Sequence, residues 1–316
     1  MSRSARSFSR RAFLARSTGL GLCVLSTSVP RAVWAAPLGL PVGIQLWTVR
    51  ESLQADPGGT LEQLRQIGYR TVESAGFAGL SPEDFRRRID DAGLLCPSAH
   101  LDFRSADVEA IFGDAHALGA HYAVSSILRP GTGAVPAVSP ALQPVANALR
   151  AMTLDDARET AELANRIGEQ AKRAGLQYAY HNHFFEFVDQ GNGAVAYDVL
   201  LRETDPELVK FEIDCGWMMA AGYDPVRYFK QYPHRFPMIH VKDFLPATGG
   251  NARGAAAALR VGTELGTGFI DYKPIFAAAK SQPLKYYFAE QEGPFTRMTQ
   301  LEAAKVSYDY LHALHE

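Results

Sequence analysis

From Val42 onward, short apolar runs alternate with longer amphipathic stretches. Runs centred near Ile44, Val72, Pro97, Ala123, Ala179, Phe211, Ile239 and Tyr287 have the length and β-rich composition of buried strands. Between them, Leu61–Ile67, Pro82–Ala92, Val108–Leu118 and Asp155–Ala174 carry apolar residues at helical spacing. Gly68, Gly93, Gly119 and Gly175 fall where those helices should end, since a residue without Cβ enters the left-handed closing turn cheaply. A repeated strand–helix unit implies parallel strands joined by right-handed crossovers, and eight units fit a closed (β/α)8 barrel. A doubly wound open sheet fits the same alternation, but no Gly-rich phosphate turn follows the first strand.

Four of the apolar runs end in polar clusters: Tyr180-His181-Asn182-His183, Ile213-Asp214-Cys215-Gly216-Trp217, Ile239-His240-Val241-Lys242-Asp243 and Ala289-Glu290-Gln291-Glu292. In a parallel barrel such strand ends converge on one rim. Residues two apart share a face, which pairs His181 with His183, Glu212 with Asp214, His240 with Lys242 and Glu290 with Glu292. A buried polar group without a partner costs roughly 2–7 kcal/mol on transfer scales. A lumen lined with such groups therefore calls for something to satisfy them. Two imidazoles and two carboxylates, His181, His240, Asp214 and Glu290, suit one divalent transition metal ion. His116, His121, His234, His312 and His315 fall on expected helices or connections and read as hydrogen-bonded structural residues. His100 and His183 divide between supporting the site and touching a substrate. Lys242 divides between a salt bridge inside the lumen and a hold on a substrate oxygen. Trp47, Phe103 and Trp217 read either as apolar walls or as core, and His100, Arg129 and Lys242 are candidates to hold hydroxyls.

The first 35 residues stand apart. Ser9-Arg10-Arg11-Ala12-Phe13-Leu14 is a twin-arginine motif, the stretch from Leu20 to Val29 is modestly apolar, and Val33-Trp34-Ala35 offers a cleavage site. This predicts export by the twin-arginine machinery to the periplasm with cleavage near Ala35, leaving residues 36–316 as one barrel domain and no stable membrane anchor. The leader holds six arginines and no acidic residue, so its removal takes the formal charge from −2 to −8. An acidic chain without a basic run is a poor partner for nucleic acid. Cys96 and Cys215 fall on different expected strands and read as two buried thiols. Two connections are longer than the rest, Arg129–Met152 and Phe244–Gly268; both follow strands and belong on the active-site rim.

These residues resemble the sugar isomerase/epimerase superfamily with the xylose-isomerase-like barrel. The likeness runs from Val42 to about His312, through Gly43-Ile44-Gln45-Leu46-Trp47, Gly68-Tyr69-Arg70-Thr71-Val72-Glu73, Ser98-Ala99-His100, the four strand-end clusters, and Val261-Gly262 with Gly268-Phe269-Ile270-Asp271. It implies one divalent ion (manganese first, with cobalt, magnesium or zinc as alternatives) held by His181, Asp214, His240 and Glu290. It also implies a small carbohydrate substrate and a homodimer packed on barrel helices. Epimerases of the superfamily carry Glu where this chain has His181, which sets two-carboxylate epimerisation in doubt and is similar to relatives that dehydrate inososes.

The expected reaction is sugar isomerisation or epimerisation through an enediolate, with Glu290 as base and Glu73 or His183 serving a second proton transfer. Elimination of water or an aglycone from a keto-sugar or keto-glycoside is the alternative. A non-catalytic periplasmic sugar binder is a further rival. A DNA-repair endonuclease on the same barrel needs three zinc ions and more ligands than are present.

Overall fold

The computed structural model describes residues 37–104, 107–133, 150–246, 257 and 260–314. The first 36 residues, where the leader was expected, together with His315 and most of the two long connections, lie outside the described residues. All eight expected strands form: β1 (Gly43–Gln45), β2 (Thr71–Ala75), β3 (Leu95–His100), β4 (Tyr122–Ser125), β5 (Gln177–His181), β6 (Val209–Asp214), β7 (Met238–Val241) and β10 (Tyr286–Ala289). They pair in parallel and close into a barrel, with β10 between β1 and β7. Two further short strands, β8 (Asp243–Phe244) and β9 (Gly262–Thr263), pair antiparallel above the rim.

Helices α1 (Arg50–Ala55) and α2 (Pro57–Ile67) follow β1, α3 (Pro82–Asp91) follows β2, and α4 (Val108–Leu118) follows β3. The twenty-residue α5 (Leu154–Arg173) precedes β5. Then come α6 (Ala196–Glu203), α7 (Cys215–Ala221), α8 (Pro225–Gln231), α9 (Tyr272–Ala279) and α10 (Gln300–Ala313). Gly68, Gly93, Gly119 and Gly175 all adopt positive φ beside helix ends, as the spacing predicts. None of the described helices is long and apolar enough to cross a membrane.

Strand alternation sorts the barrel into two cores. Ile44, Val72, Ala99, Ala123, Tyr178, Phe211, Ile239 and Tyr287 belong to the large apolar cluster between the strands and the helices. The opposite faces hold a separate small cluster, Tyr122, Val124, Ala179, Met238 and Phe288, which plugs the lower lumen. Continuing upward by two residues along each strand turns apolar to polar: Ala179 to His181, Met238 to His240, Phe288 to Glu290. The site is therefore the top layer of the lumen, seated on an apolar floor.

Cys96 and Cys215 are both free and buried, and burial pushes the Cys96 thiol up to about 12. Gly216 lets the first turn of α7 press on β7's exit. A Cβ there would lie 2.4 Å from that of Lys242. Gly216→Ala should therefore cost about 1–3 kcal/mol, as overpacked sites do, and lower the urea unfolding midpoint. An unchanged midpoint would show that the contact relaxes freely.

Candidate metal centre

Each strand end fixes its side chain by a local device. Asp214 closes β6 and starts α7: its Oδ1 accepts from Trp217 N at 2.8 Å, which caps the helix and leaves Oδ2 toward the lumen. Asn182, just past β5, clamps Asp214's backbone from both sides, accepting from Asp214 N at 3.0 Å and donating to Asp214 O at 3.3 Å. The backbone of Lys242 is held by the Tyr272 hydroxyl, which donates to its carbonyl at 2.6 Å and accepts from its N–H at 2.9 Å. Asp243 does not face the lumen chemistry. Its carboxylate accepts N–H groups from Phe244, Gly266, Gly268 and Ile270, tying the end of the second long connection to β8.

The four expected ligands do converge. One ligand atom from each of His181, Asp214, His240 and Glu290 lies within 4.8 Å of the others, and all four residues are buried. His181 Nε2 is 3.7 Å from Asp214 Oδ2, and His240 Nδ1 is 2.7 Å from Glu290 Oε2. Lys242 Nζ sits 2.9 Å from both Asp214 Oδ2 and Glu290 Oε2 and also contacts Glu292. Of the two readings of Lys242, the salt bridge is the one present.

Below this set lies a layer of two carboxylates, Glu73, expected as a candidate for the second proton transfer, and Glu212, expected only as Asp214's same-face neighbour. Glu212 and Glu73, both fully buried, face the imidazoles of His100 and His240. Glu212 Oε2 is 2.8 Å from His100 Nε2 and 3.1 Å from His240 Nε2. Glu73 Oε2 is 2.6 Å from His240 Nε2 and accepts from Gln45 Nε2 at 2.9 Å, while Ser98 donates to Glu73 Oε1. A register shift between β2 and β3 brings Ser98 opposite Glu73. The alternation that paired Glu212 with Asp214 was the available signal for Glu212.

Proton affinities follow from these contacts. Burial opposes charge on Glu290, but Lys242 and His240 overcome it and hold its carboxyl far below the usual range. Burial likewise opposes charge on Glu73, and His100 and His240 pull it down. Burial raises the Asp214 carboxyl to about 6, with Lys242 and His240 offsetting only part. Against their own burial, Glu73 and Glu212 push His100 up to about 10, while Glu212, Glu290 and Glu73 hold His240 well above an ordinary imidazole. Burial lowers both His181 and His183, the latter to about 4.

The donor set fits a divalent ion. His181 Nδ1 and Glu212 Oε1 are buried without a hydrogen bond, an expense of about 1–3 kcal/mol each, and Asp214 Oδ2 has the Lys242 ammonium as ion-pair partner but no aligned hydrogen bond. Two nitrogens and two carboxylate oxygens suit zinc, cobalt or manganese.

The other candidates separate. A cavity of about 380 Å³ opens onto the ligands, walled by His100, His181, His183, Glu290 and Glu292, with the half-exposed Trp47 at its mouth. Trp217 does not line it. The indole donates to Glu292 Oε1 at 2.9 Å and packs on Phe184 and Phe244, so it acts behind the wall. Phe103 packs on Phe112 and Tyr178 in the core. Arg129 points away to Glu159 on α5 at 2.5 Å. Glu73 is beneath the ligands and outside the cavity wall.

The family model of xylose isomerase-like TIM barrels matches residues 61–293. An inosose dehydratase from Lacticaseibacillus casei is 28% identical over 168 residues, covering 51% of this chain and 55% of that protein, so the match spans about half its length. A sugar phosphate isomerase/epimerase structure from Parabacteroides distasonis superposes with a TM-score of 0.68 at 24% identity, covering 86% of this chain and 98% of the other. The zinc-bound IOLI protein superposes at 0.60 with 15% identity, covering 85% and 96%. At these identities the two structures establish the fold alone. With the family model spanning most of the barrel, the chain belongs to the xylose isomerase-like TIM barrel family.

Proposed function

We propose that this chain is a metal-dependent enzyme that removes a proton beside the carbonyl of a keto-sugar or keto-cyclitol, and that elimination of a β-oxygen substituent follows. The observation that carries the proposal is geometric: two histidines outside the four-residue ligand set, His100 and His183, line the same cavity as the ligands His181 and Glu290. His183, lowered to about 4, is neutral and accepts a proton; His100, raised to about 10, holds one to give. Groups pushed apart in this way mark the base and acid of a reaction run near neutrality.

His181, Asp214, His240 and Glu290 would hold the ion, which when bound stabilises negative charge developing on the substrate's carbonyl oxygen. His183 Nδ1 is buried without a hydrogen bond, and its ring stacks on Phe185 at 5.2 Å, so it is fixed in orientation. It takes the α-proton, the freed pair forms the C=C bond, and the β C–O bond breaks. His100 passes its proton to the departing oxygen. Glu290, the base expected from sequence, is held strongly ionised by Lys242 and His240 and serves better as ligand. Trp47 offers an apolar face for a sugar ring at the mouth.

Isomerisation or epimerisation, the reading placed first from sequence, remains the second proposal and shares the first proton transfer. Its support is the structural likeness to a sugar phosphate isomerase/epimerase. Two features favour elimination: His181 stands at the strand-5 position, and Glu73 is kept off the cavity wall. The dehydratase relative is the further support.

Two outcomes are expected. With an inosose or 3-keto-glycoside as substrate, His183→Gln should retain metal and lose about 10²–10⁴ in rate, the usual worth of a general base. Wild-type product should show loss of water or aglycone; isomeric sugars would reassign the reaction, and an active His183→Gln enzyme would reassign the base. The second outcome concerns pH. His240 is protonated in the metal-free protein, so seating an ion on its Nδ1 expels a proton. Apparent manganese affinity should rise by up to about tenfold per pH unit above the Asp214 range for as long as His240 carries the proton that the ion displaces. The dependence should steepen below about 6, where Asp214 must also deprotonate. A flat profile in a manganese titration would contradict this.

A further inference from the structure

The two histidines of the ligand set have two nitrogens each, and the structure shows where the second nitrogen of each points. His181 turns Nε2 toward Asp214 and Nδ1 toward Glu212 Oε2, 3.2 Å away and off the N–H axis. That oxygen is the single carboxylate atom within 4 Å of His181 Nδ1 among the described residues, and the nitrogen makes no hydrogen bond. His240 turns Nδ1 toward Glu290 and Nε2 toward Glu212 Oε2 at 3.1 Å and Glu73 Oε2 at 2.6 Å. The same Glu212 oxygen receives His100 Nε2 at 2.8 Å. Three rings from β3, β5 and β7 thus meet one oxygen on β6. Glu212 is fully buried and is the direct ladder neighbour of His181, so neither strand can shift without the other.

We propose that Glu212 is a positioning residue that sets which nitrogen of His181 and of His240 is bare, and so makes the ligand set competent for a divalent ion. An ionised carboxylate accepts hydrogen bonds and donates none. It therefore holds N–H on the ring atoms that face it and leaves His181 Nε2 and His240 Nδ1, on the Asp214 and Glu290 side, for the ion. Glu73 shares the task for His240 alone, through the shorter contact. For His181, Glu212 acts without a second carboxylate. His181 is the ligand for which its loss should be felt most. Glu212 also lies within 4.8 Å of ligand atoms of His100, His181 and His240, and the ion is assigned to the Asp214 and Glu290 side of the two rings.

This inference rests on the metal reading above, and its test separates the two. The full chain with 15N-labelled histidine is titrated with Zn2+ alone, for the wild type, Glu212→Gln and Glu212→Leu. The wild type should bind zinc and show His181 as a single ring tautomer with Nδ1 protonated. Glu212→Gln keeps the shape and a weaker acceptor. It should lose about tenfold in zinc affinity, and Glu212→Leu about a hundredfold, the range for residues that orient metal-bound histidines. In both variants the His181 ring signals should move toward a mixture of tautomers, a change that a loss of packing alone would not produce. Glu212→Gln, which needs no repacking, decides the matter if the leucine variant does not fold. Wild-type affinity and unchanged ring signals in Glu212→Gln would overturn the proposal while leaving the metal site intact. A wild type that takes up no zinc would overturn the metal reading and this proposal together.

Discussion

Buried charge in the upper lumen is the constraint on which the rest of this barrel turns. Glu73, Glu212, Asp214 and Glu290 are all withdrawn from solvent, and Lys242 is the one ammonium among them. Carboxylates this close cannot all be ionised in a medium of low permittivity without opposing charge. The metal-free barrel supplies it from Lys242 and from protonated His100 and His240. A divalent ion held by the four strand-end residues would supply it more compactly. The same residues are thus a stability problem without a cation and would form a coordination set with one.

Everything around that layer limits how far it can move. Beneath it, Tyr122, Val124, Ala179, Met238 and Phe288 form a floor with no polar side chain that hydrogen-bonds the ligands. Around it, the capping of α7 by Asp214, the clamp of Asn182, the grip of Tyr272 on Lys242 and the brace of Trp217 on Glu292 each use a different neighbouring element. Sites built this way on strand ends hold their geometry better than sites on free loops. The apolar faces of the strands, packed on the helices, contribute the cohesion that offsets the cost of the polar interior.

The fold was legible because one rule, the alternation of faces along strands, operates without long-range information. Ile44, Val72 and Ile239 announced their strands by composition, and Gly119 announced a helix end by its missing Cβ. The convergence of His181, Asp214, His240 and Glu290 was legible for the same reason: each ends a recognisable apolar run. The supporting layer was harder. Glu212 was visible as Asp214's same-face neighbour, but that its oxygen meets three rings depends on strand register across β3, β5 and β7, which no local pattern encodes. Arg129 and Trp217 illustrate the other limit. Both follow strands and both have the right chemistry for a sugar, yet packing sends one to Glu159 and the other behind Glu292.

The most direct measurement is the metal content of the folded protein after loading with manganese and exhaustive dialysis, beside His240→Ala. One equivalent per chain in the wild type and none in the variant is the predicted result. A wild type that holds no metal, or a variant that keeps the full equivalent, would contradict a shared site at the four strand ends.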